Sequence, residues 1–487
     1  MSHETKTVLD RYPSYDAVIG IEVHVQLKTQ SKIFCSCPNQ FGCKPNTNVC
    51  PICMGHPGTL PVLNKQVVES AIMAGLATNC TISGKTDFAR KHYMYPDLPK
   101  NYQITQGEIA ICMNGHIPIA TADGQEKQVR LIRIHMEEDA GKNTHGIGGI
   151  SWVDLNRAGT PLLEIVSHPD MSNSIEAKSY LTRLHTIIRY LGISDANMEE
   201  GSFRADINIS MRKKGDSAYG TRTELKNINS FRFIVHAIEH EIERQILLLE
   251  SGQRITQETR QWDSKNQCTT FMRSKEDAQD YRYFTDPDLP AIVIDEAWIQ
   301  AVKNRIPELP QIKLARFQND FGLSAYEAEI LTEEQPRALF FEEAVKACNN
   351  PKGVSNWMLR DLMGYLKEHK LEISDTKMTP QGLGSLIRAL DQNIINSKVA
   401  QDVFVDILLT GKDAMTIIEE KDLKQIGSSD ELESVIVALL ADNADTVAKY
   451  KAGNDRLFPF FVGLAMKATK GKGNPVIIQE LLKKLLS

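Results

Sequence analysis

A chain of 487 residues is too long for a single hydrophobic core and should divide into roughly two to four domains. Its 42% hydrophobic and 24% charged residues are those of a folded globular protein and exclude a disordered one. A formal net charge of −6 argues against wholesale coating of nucleic acid and leaves room for a local basic patch. The first residues, MSHETKTVLDRYPSYD, carry no basic n-region and no apolar h-region, and no apolar run is long enough to span a bilayer. A cytoplasmic protein without membrane partners is expected.

Asp16 to Lys28, DAVIGIEVHVQLK, alternates as a strand, with Ile19, Ile21, Val23, Val25 and Leu27 on one face and Glu22, His24 and Gln26 on the other. An ordinary outer strand facing water produces the same pattern. The polar face becomes a candidate site only if other strands supply partners. Nine cysteines follow in the chain, five of them between positions 35 and 53. Cys35 and Cys37 form C-x-C, and Cys50 and Cys53 form C-x-x-C. Two close pairs can wrap one tetrahedral zinc, with Pro38, Pro45 and Pro51 stiffening the loop and Cys43 left over. Reduced thiols or a redox C-x-x-C are the alternatives, the second weakened because no βαβ pattern surrounds it. A site closed by four thiolates would staple a loop, not do chemistry.

Asn64 to Ala77 has helical spacing with Asn64 as N-cap. DFARKHYMYPDLPKNYQITQ is dense in Arg, Lys, Tyr and Asp. Arg90, Lys91, Tyr93, Tyr95, Asp97 and Lys100 suit a loop that grips an anionic ligand, or equally a solvated one. VRLIRIHMEED is a second alternating strand: Arg133, His135 and Glu137 oppose Ile132, Ile134 and Met136, and Glu138 and Asp139 follow where it should end. Glu164 interrupts the apolar run Leu162, Leu163, Ile165 and Val166, where an unpaired carboxylate is costly, so a cation should meet it. Arg204, Asp206, Asn208 and Ser210 alternate with Ala205, Ile207 and Ile209, and Glu224 and Lys226 share one face of another short strand.

Acids on the polar faces of several strands would converge if an antiparallel sheet curled around them. Oxygen ligands with one histidine suit Mg²⁺ carrying nucleotide phosphates, and no P-loop or protein-kinase motif set occurs. Phe231 to Glu250 reads as a long amphipathic helix with Gly252 at its C-terminus. Four prolines from Pro287 to Pro310 place a boundary near residue 295. The expected class is α+β: an antiparallel-sheet domain over 1–294, a helical domain over 295–410 and a small helical tail over 411–487. Lys467, Lys470 and Lys472 lie among glycines just before the last helix at Pro475, a phosphate-binding arrangement or a solvated cationic loop.

IGIEVHVQL, FCSC…NTNVCPICMG, HYMYPDLPKNYQIT, IHMEEDAGK, DLNRAGTPLLEIV, MEEGSFRADINIS, TELKNINSF, DYRYFTDPDLP and the terminal KATKGKGNP together resemble the B subunits of the aspartyl/glutamyl-tRNA amidotransferases. The blocks run from about residue 17 to the end. The resemblance implies a glutamine-synthetase-like catalytic domain that uses ATP and Mg²⁺ to phosphorylate the side-chain carboxylate of Glu-tRNA(Gln) or Asp-tRNA(Asn). It implies a heterotrimer with an amidase (glutaminase) subunit, which supplies ammonia, and a third, small subunit. The non-discriminating aminoacyl-tRNA synthetase is a further candidate partner, and the tail lysines would touch the tRNA. Matched residue by residue, the Mg²⁺ and phosphorylation site falls on Glu22, His24, Glu138 and Glu164, with Asp206 a further member; Lys91, Tyr93 and Arg204 are the candidates for holding the nucleotide. Strict alternation favours Glu137 over Glu138. The family match favours Glu138, which is the expectation adopted. The four cysteines match the zinc-bearing branch of the family; other members lack them. No glutaminase signature is apparent, so ammonia should come from a partner. The related archaeal, glutamyl-specific amidotransferase subunit is the nearest rival, and a zinc-stabilised tRNA-binding scaffold the rival of another class.

Overall fold

The computed structural model describes residues 7–274, 280–425, 429–469 and 472–486. Two compact units divide the chain, Met1–Leu309 and Pro310–Ser487.

The first unit is organised by β1 (Tyr15–Gln26), β2 (Phe88–His92), β3 (Tyr102–Gln106), β4 (Glu126–Glu138), β5 (Pro161–Ser167), β6 (Phe203–Lys213), β7 (Thr223–Lys226), β8 (Glu258–Asp263), β9 (Cys268–Ser274) and β10 (Phe284–Thr285). Their order across the sheet is β9-β8-β7-β6-β1-β5-β4-β3-β2-β10. The opening strand therefore lies inside the sheet, antiparallel to β5 on one side and to β6 on the other. Every pair on this path is antiparallel except β7 and β8, which run parallel with Glu224 opposite Thr259. The cause is the connection. A helix, α3 below, links these two strands, and such a crossover returns the chain in the same direction.

Helices α1 (Lys65–Ala77), α2 (Ser174–Leu191) and α3 (Phe231–Glu250) cover the apolar face. Each begins at a side-chain cap: Asn64 accepts from the Gln66 amide, Asn173 from Glu176 and Ser230 from Phe233. Gly252, at φ 74°, turns the chain away just beyond α3. Ile19, Ile21, Val23 and Val25 lie in one core with Val67, Ile72, Leu181, Leu184, Ile238 and Ile242. At about 1.5–3 kcal/mol for each such side chain, this packing fixes β1 as a rigid wall. Its polar face is left free for a site.

The first unit ends at Leu309, not at residue 294. The helix α4 (Glu296–Lys303) packs on α1, with Val302 in the core and the Trp298 indole donating to Glu69 Oε1 at 3.2 Å. Arg305 pairs with the same carboxylate at 2.7 Å. The proline-rich stretch thus brackets a helix of the first unit.

The second unit is helical throughout its described residues and holds two cores, one from Phe317 to Ile418 and one from Leu432 to Leu486. Gly411, at φ 73°, ends one helix, and the next, Ala414–Glu420, returns Ala414, Ile417 and Ile418 to the first core. The two cores divide after Ile418 instead of at 411. No helix among the described residues is long and apolar enough to cross a membrane.

Candidate active site

Strand register assembles the polar face. On β6, Asp206 stands opposite Glu22 and Arg204 opposite His24; on β5, Glu164 stands opposite His24. Across β5, His135 on β4 faces Glu164, and Glu137 faces Leu162. Residues directly opposite share a face of the sheet, so all of these project away from the helices. His24 Nε2 lies 3.5 Å from Glu22 Oε1, 3.6 Å from Glu137 Oε1 and 3.9 Å from Glu164 Oε2. One ligating atom each from Glu22, His24 and Glu164 falls within 4.8 Å of the others. Carboxylate oxygens with one imidazole are a donor set that fits Mg²⁺ or a similar hard divalent cation.

The carboxylates are crowded enough to resist ionisation together. Burial and then the charge of Glu164 push Glu137 up to about 8. The same two causes raise Glu22, and burial raises Glu164. Burial lowers both histidines, His135 to about 3 with help from Arg133 and Lys91, so both imidazoles are neutral near pH 7. Lys91 keeps its proton: burial opposes its charge, but Glu137, Tyr283 and Glu164 outweigh that. Lys226, paired with Asp206 and 3.6 Å from Glu224, is held charged against burial in the same way. A buried carboxylate cluster flanked by two lysines is an arrangement that takes a cation at its centre and anionic oxygens at its edge.

Glu138 is not a member of this cluster. Its side chain turns to the other face, where it pairs with Lys100 and accepts the Ile104 amide at 2.9 Å. The β4–β5 ladder stays in register as far as Pro161 opposite Glu138, so alternation does not loosen where the strand ends. Glu137 is the acid of this pair whose carboxylate reaches His24. The next acid, Asp139, returns to the site edge. It accepts from Arg204 at 3.0 Å and Gln26 at 2.9 Å, with Arg157 at 3.6 Å. Burial works against its charge, but Arg204 and Arg157 outweigh it and hold Asp139 low. Arg204 is thus committed to Asp139, while Lys91 lies on the cluster's own face. Tyr93 stands at the rim, its hydroxyl 3.5 Å from Gln103 Oε1 and its ring edge-on to Tyr281 at 6.3 Å. Lys226, Asp139 and His135 were visible as polar positions in the sequence, but their place at the site depends on strand register, which one strand's pattern does not carry.

The cysteine loop closes as its spacing suggests. Sγ atoms of Cys35, Cys37, Cys50 and Cys53 all lie within 4.8 Å of one another, with Cys50 and Cys53 3.9 Å apart. A tetrahedral zinc with Zn–S bonds of about 2.3 Å needs sulfurs about 3.8 Å apart, so the four fit the ion. None is in a disulfide, and Cys43 sits apart beside Gln40. In the second unit Lys467 is exposed, Lys472 pairs with Asp422 at 2.7 Å, and Lys470 lies outside the described residues.

This sheet and site define a catalytic domain of the GatB/GatE type: residues 17–300 match the family model described as the GatB/GatE catalytic domain, and residues 339–486 match the GatB domain. The chain belongs to the GatB family, the B subunits of the aspartyl/glutamyl-tRNA(Asn/Gln) amidotransferases. It is 51% identical over 473 residues to the B subunit of Trichlorobacter lovleyi, covering 97% of this chain and 99% of that protein. The B subunits of Persephonella marina and Chlorobium phaeobacteroides are each 49% identical over the same shares.

Proposed function

We propose that this chain activates the side-chain carboxylate of a misacylated tRNA, Glu-tRNA(Gln) or Asp-tRNA(Asn), by ATP- and Mg²⁺-dependent phosphorylation, and presents it to ammonia. The observation that carries this reading is the convergence of Glu22, His24, Glu137 and Glu164 on one face of the central strands. A carboxylate is a poor acyl donor because its oxygen is a bad leaving group. Transfer of the ATP γ-phosphoryl group to that oxygen makes an acyl phosphate, whose carbonyl carbon ammonia can attack with phosphate as the leaving group.

Glu22, His24, Glu137 and Glu164 would hold the divalent ion, which when bound offsets charge on nucleotide and substrate oxygens. Lys91 and Lys226 flank the cluster as charged donors for phosphoryl oxygens. His135, neutral at working pH, adds no charge to the site. Arg204, Gln26 and Arg157 clamp Asp139, which fixes the end of β4 beside the carboxylates. The apolar packing of β1 prevents the ligands from drifting apart.

Ammonia would come from a separate amidase subunit, with a third, small subunit completing the complex, and the tRNA would be held in part by Lys467, Lys470 and Lys472. The test is reconstitution with those partners, misacylated tRNA and labelled ATP. Phosphate release that requires both Mg²⁺ and the aminoacyl-tRNA supports the reading. A scaffold protein would bind the tRNA and leave ATP untouched.

A further inference from the structure

Lys32 is fully buried, three residues before the first cysteine of the zinc loop. Its Nζ approaches Cys53 Sγ at 3.6 Å and the Leu155 carbonyl oxygen at 3.3 Å, and among the described residues no carboxylate lies within ion-pair distance of it. A charge buried this deeply persists only where an opposite charge stands close by. Four thiolates around one Zn²⁺ carry a net charge of about −2, and they are the anion at hand. The backbone sustains the contact: the Lys32 amide donates to Cys37 O at 3.0 Å, and the Ile33 amide to Gly159 O at 2.9 Å. Gly159, whose φ of 82° favours glycine, places its turn in van der Waals range of the lysine stem and of Cys53, its Cβ position lying 3.5 Å from Lys32 Cδ and 3.6 Å from Cys53 Cβ.

The same loop is bonded to the segment around Leu155. Asn46 donates its amide to Asp154 at 3.0 Å and accepts from the Leu155 amide at 2.8 Å, and Asn156 accepts from the Asn48 amide at 2.8 Å. Two residues beyond Leu155, Arg157 reaches Asp139 at the edge of the carboxylate cluster.

We propose that Lys32 is the counter-charge of the tetrathiolate zinc site, donating to Cys53 Sγ and tying the site to the Leu155 turn. It is a positioning residue. The proposal rests on Cys35, Cys37, Cys50 and Cys53 binding zinc, and the experiment separates the two claims.

Zinc content and chelator competition are measured on the full chain and on Lys32→Met, which keeps the stem and removes the charge. Wild-type chain that holds one zinc, with the variant weaker by about 10–100-fold, supports the proposal, as expected for loss of a ligand's hydrogen-bond partner. Cobalt substitution adds a readout that packing alone would not move: loss of the donor to Cys53 Sγ should shift the thiolate-to-cobalt charge-transfer band. Unchanged zinc affinity and an unchanged cobalt band in the variant would overturn the role of Lys32 while leaving the zinc site standing. Wild-type chain that binds no zinc would overturn both. If Lys32→Met fails to fold, Cys53→His is added, since it removes one negative charge from the site. Recovery of the folded, zinc-bound double variant supports a charge role, and failure of both variants overturns it.

Discussion

Glu137 and Glu138 are neighbours in sequence and stand on opposite faces of one strand: Glu137 Oε1 lies 3.6 Å from His24 Nε2, whereas Glu138 pairs with Lys100. The two substitutions should therefore separate. Glu137→Gln removes a carboxylate from the proposed Mg²⁺ site and should lower Mg²⁺-dependent phosphate release by roughly two orders of magnitude. Glu138→Gln should leave the Mg²⁺ concentration needed for half-maximal release unchanged, whatever it does to turnover through Lys100. A Mg²⁺ titration of both variants decides it.

The edge of the sheet hangs on a buried ion network. Glu241 on α3 is fully buried and accepts from Arg244 Nη2 and Nε, at 2.7 and 2.9 Å, from the Gln245 side-chain amide at 2.8 Å and from the Thr269 hydroxyl at 3.0 Å. Glu241→Ala leaves Arg244 without its closest partner and should cost about 3–5 kcal/mol in urea unfolding of the first unit. Glu241→Gln keeps the shape and should cost less.

Glu327 closes a capping box with Ser324 and also accepts both contacts of Lys352 at 2.7 Å. The Lys352 hydrogen bonds and then those of Ser324 outweigh burial and hold its carboxyl at about 2, against 4.5 for the unperturbed group. A depressed value means stability that is present above pH 4.5 and lost as pH falls toward 2. The melting-temperature gap between the wild-type chain and Glu327→Gln should therefore be constant from pH 7 to about 5 and close between about 4.5 and 2. A gap that persists at about pH 2 would place its origin elsewhere.

Alternation alone marked the two faces of β1, and the burial of Ile19 to Leu27 follows it residue by residue. It also favoured Glu137, the acid of the pair that lies beside His24, whereas the family pattern pointed to Glu138, whose carboxylate meets Lys100 on the other face; pairing with Pro161 keeps the strand regular to its end. Glu164 was legible as a carboxylate that needs a cation, but not that Arg133, 3.7 Å away, and Lys91 would supply it. Those partners come from other strands and follow from register. The parallel β7–β8 pair was hidden for a related reason: ETRQWD has mixed polarity because it lies near the sheet edge and is bonded through Arg260 and Glu258 rather than by apolar burial on both faces. The prolines from 287 to 310 signalled turns correctly, but turns flank a helix as readily as a domain boundary.

The tail lysines should contribute unequally to tRNA binding. Lys472 must leave Asp422 before it can meet a phosphate, whereas Lys467 is exposed. Lys467→Ala should weaken binding more than Lys472→Ala. Removing Lys467, Lys470 and Lys472 together should flatten the plot of log affinity against log salt by about 0.7–0.9 for each lysine that reaches a phosphate. Filter binding across a salt series measures this, and an unchanged slope would move the contact surface elsewhere.

Glu164 tests the central claim most directly, since it faces both His24 and His135 across the ladders and forms with Glu22 and His24 a group whose ligating atoms lie within 4.8 Å of one another. The measurement is amidation of misacylated tRNA by the reconstituted complex with labelled ATP and ammonium, so that glutamine hydrolysis is bypassed. Glu164→Ala should fold and bind tRNA as the wild-type chain does and lose both phosphate release and amidated product by at least about a hundredfold. Amidation at the wild-type rate by that variant would contradict the assignment of this face as the site of carboxylate activation.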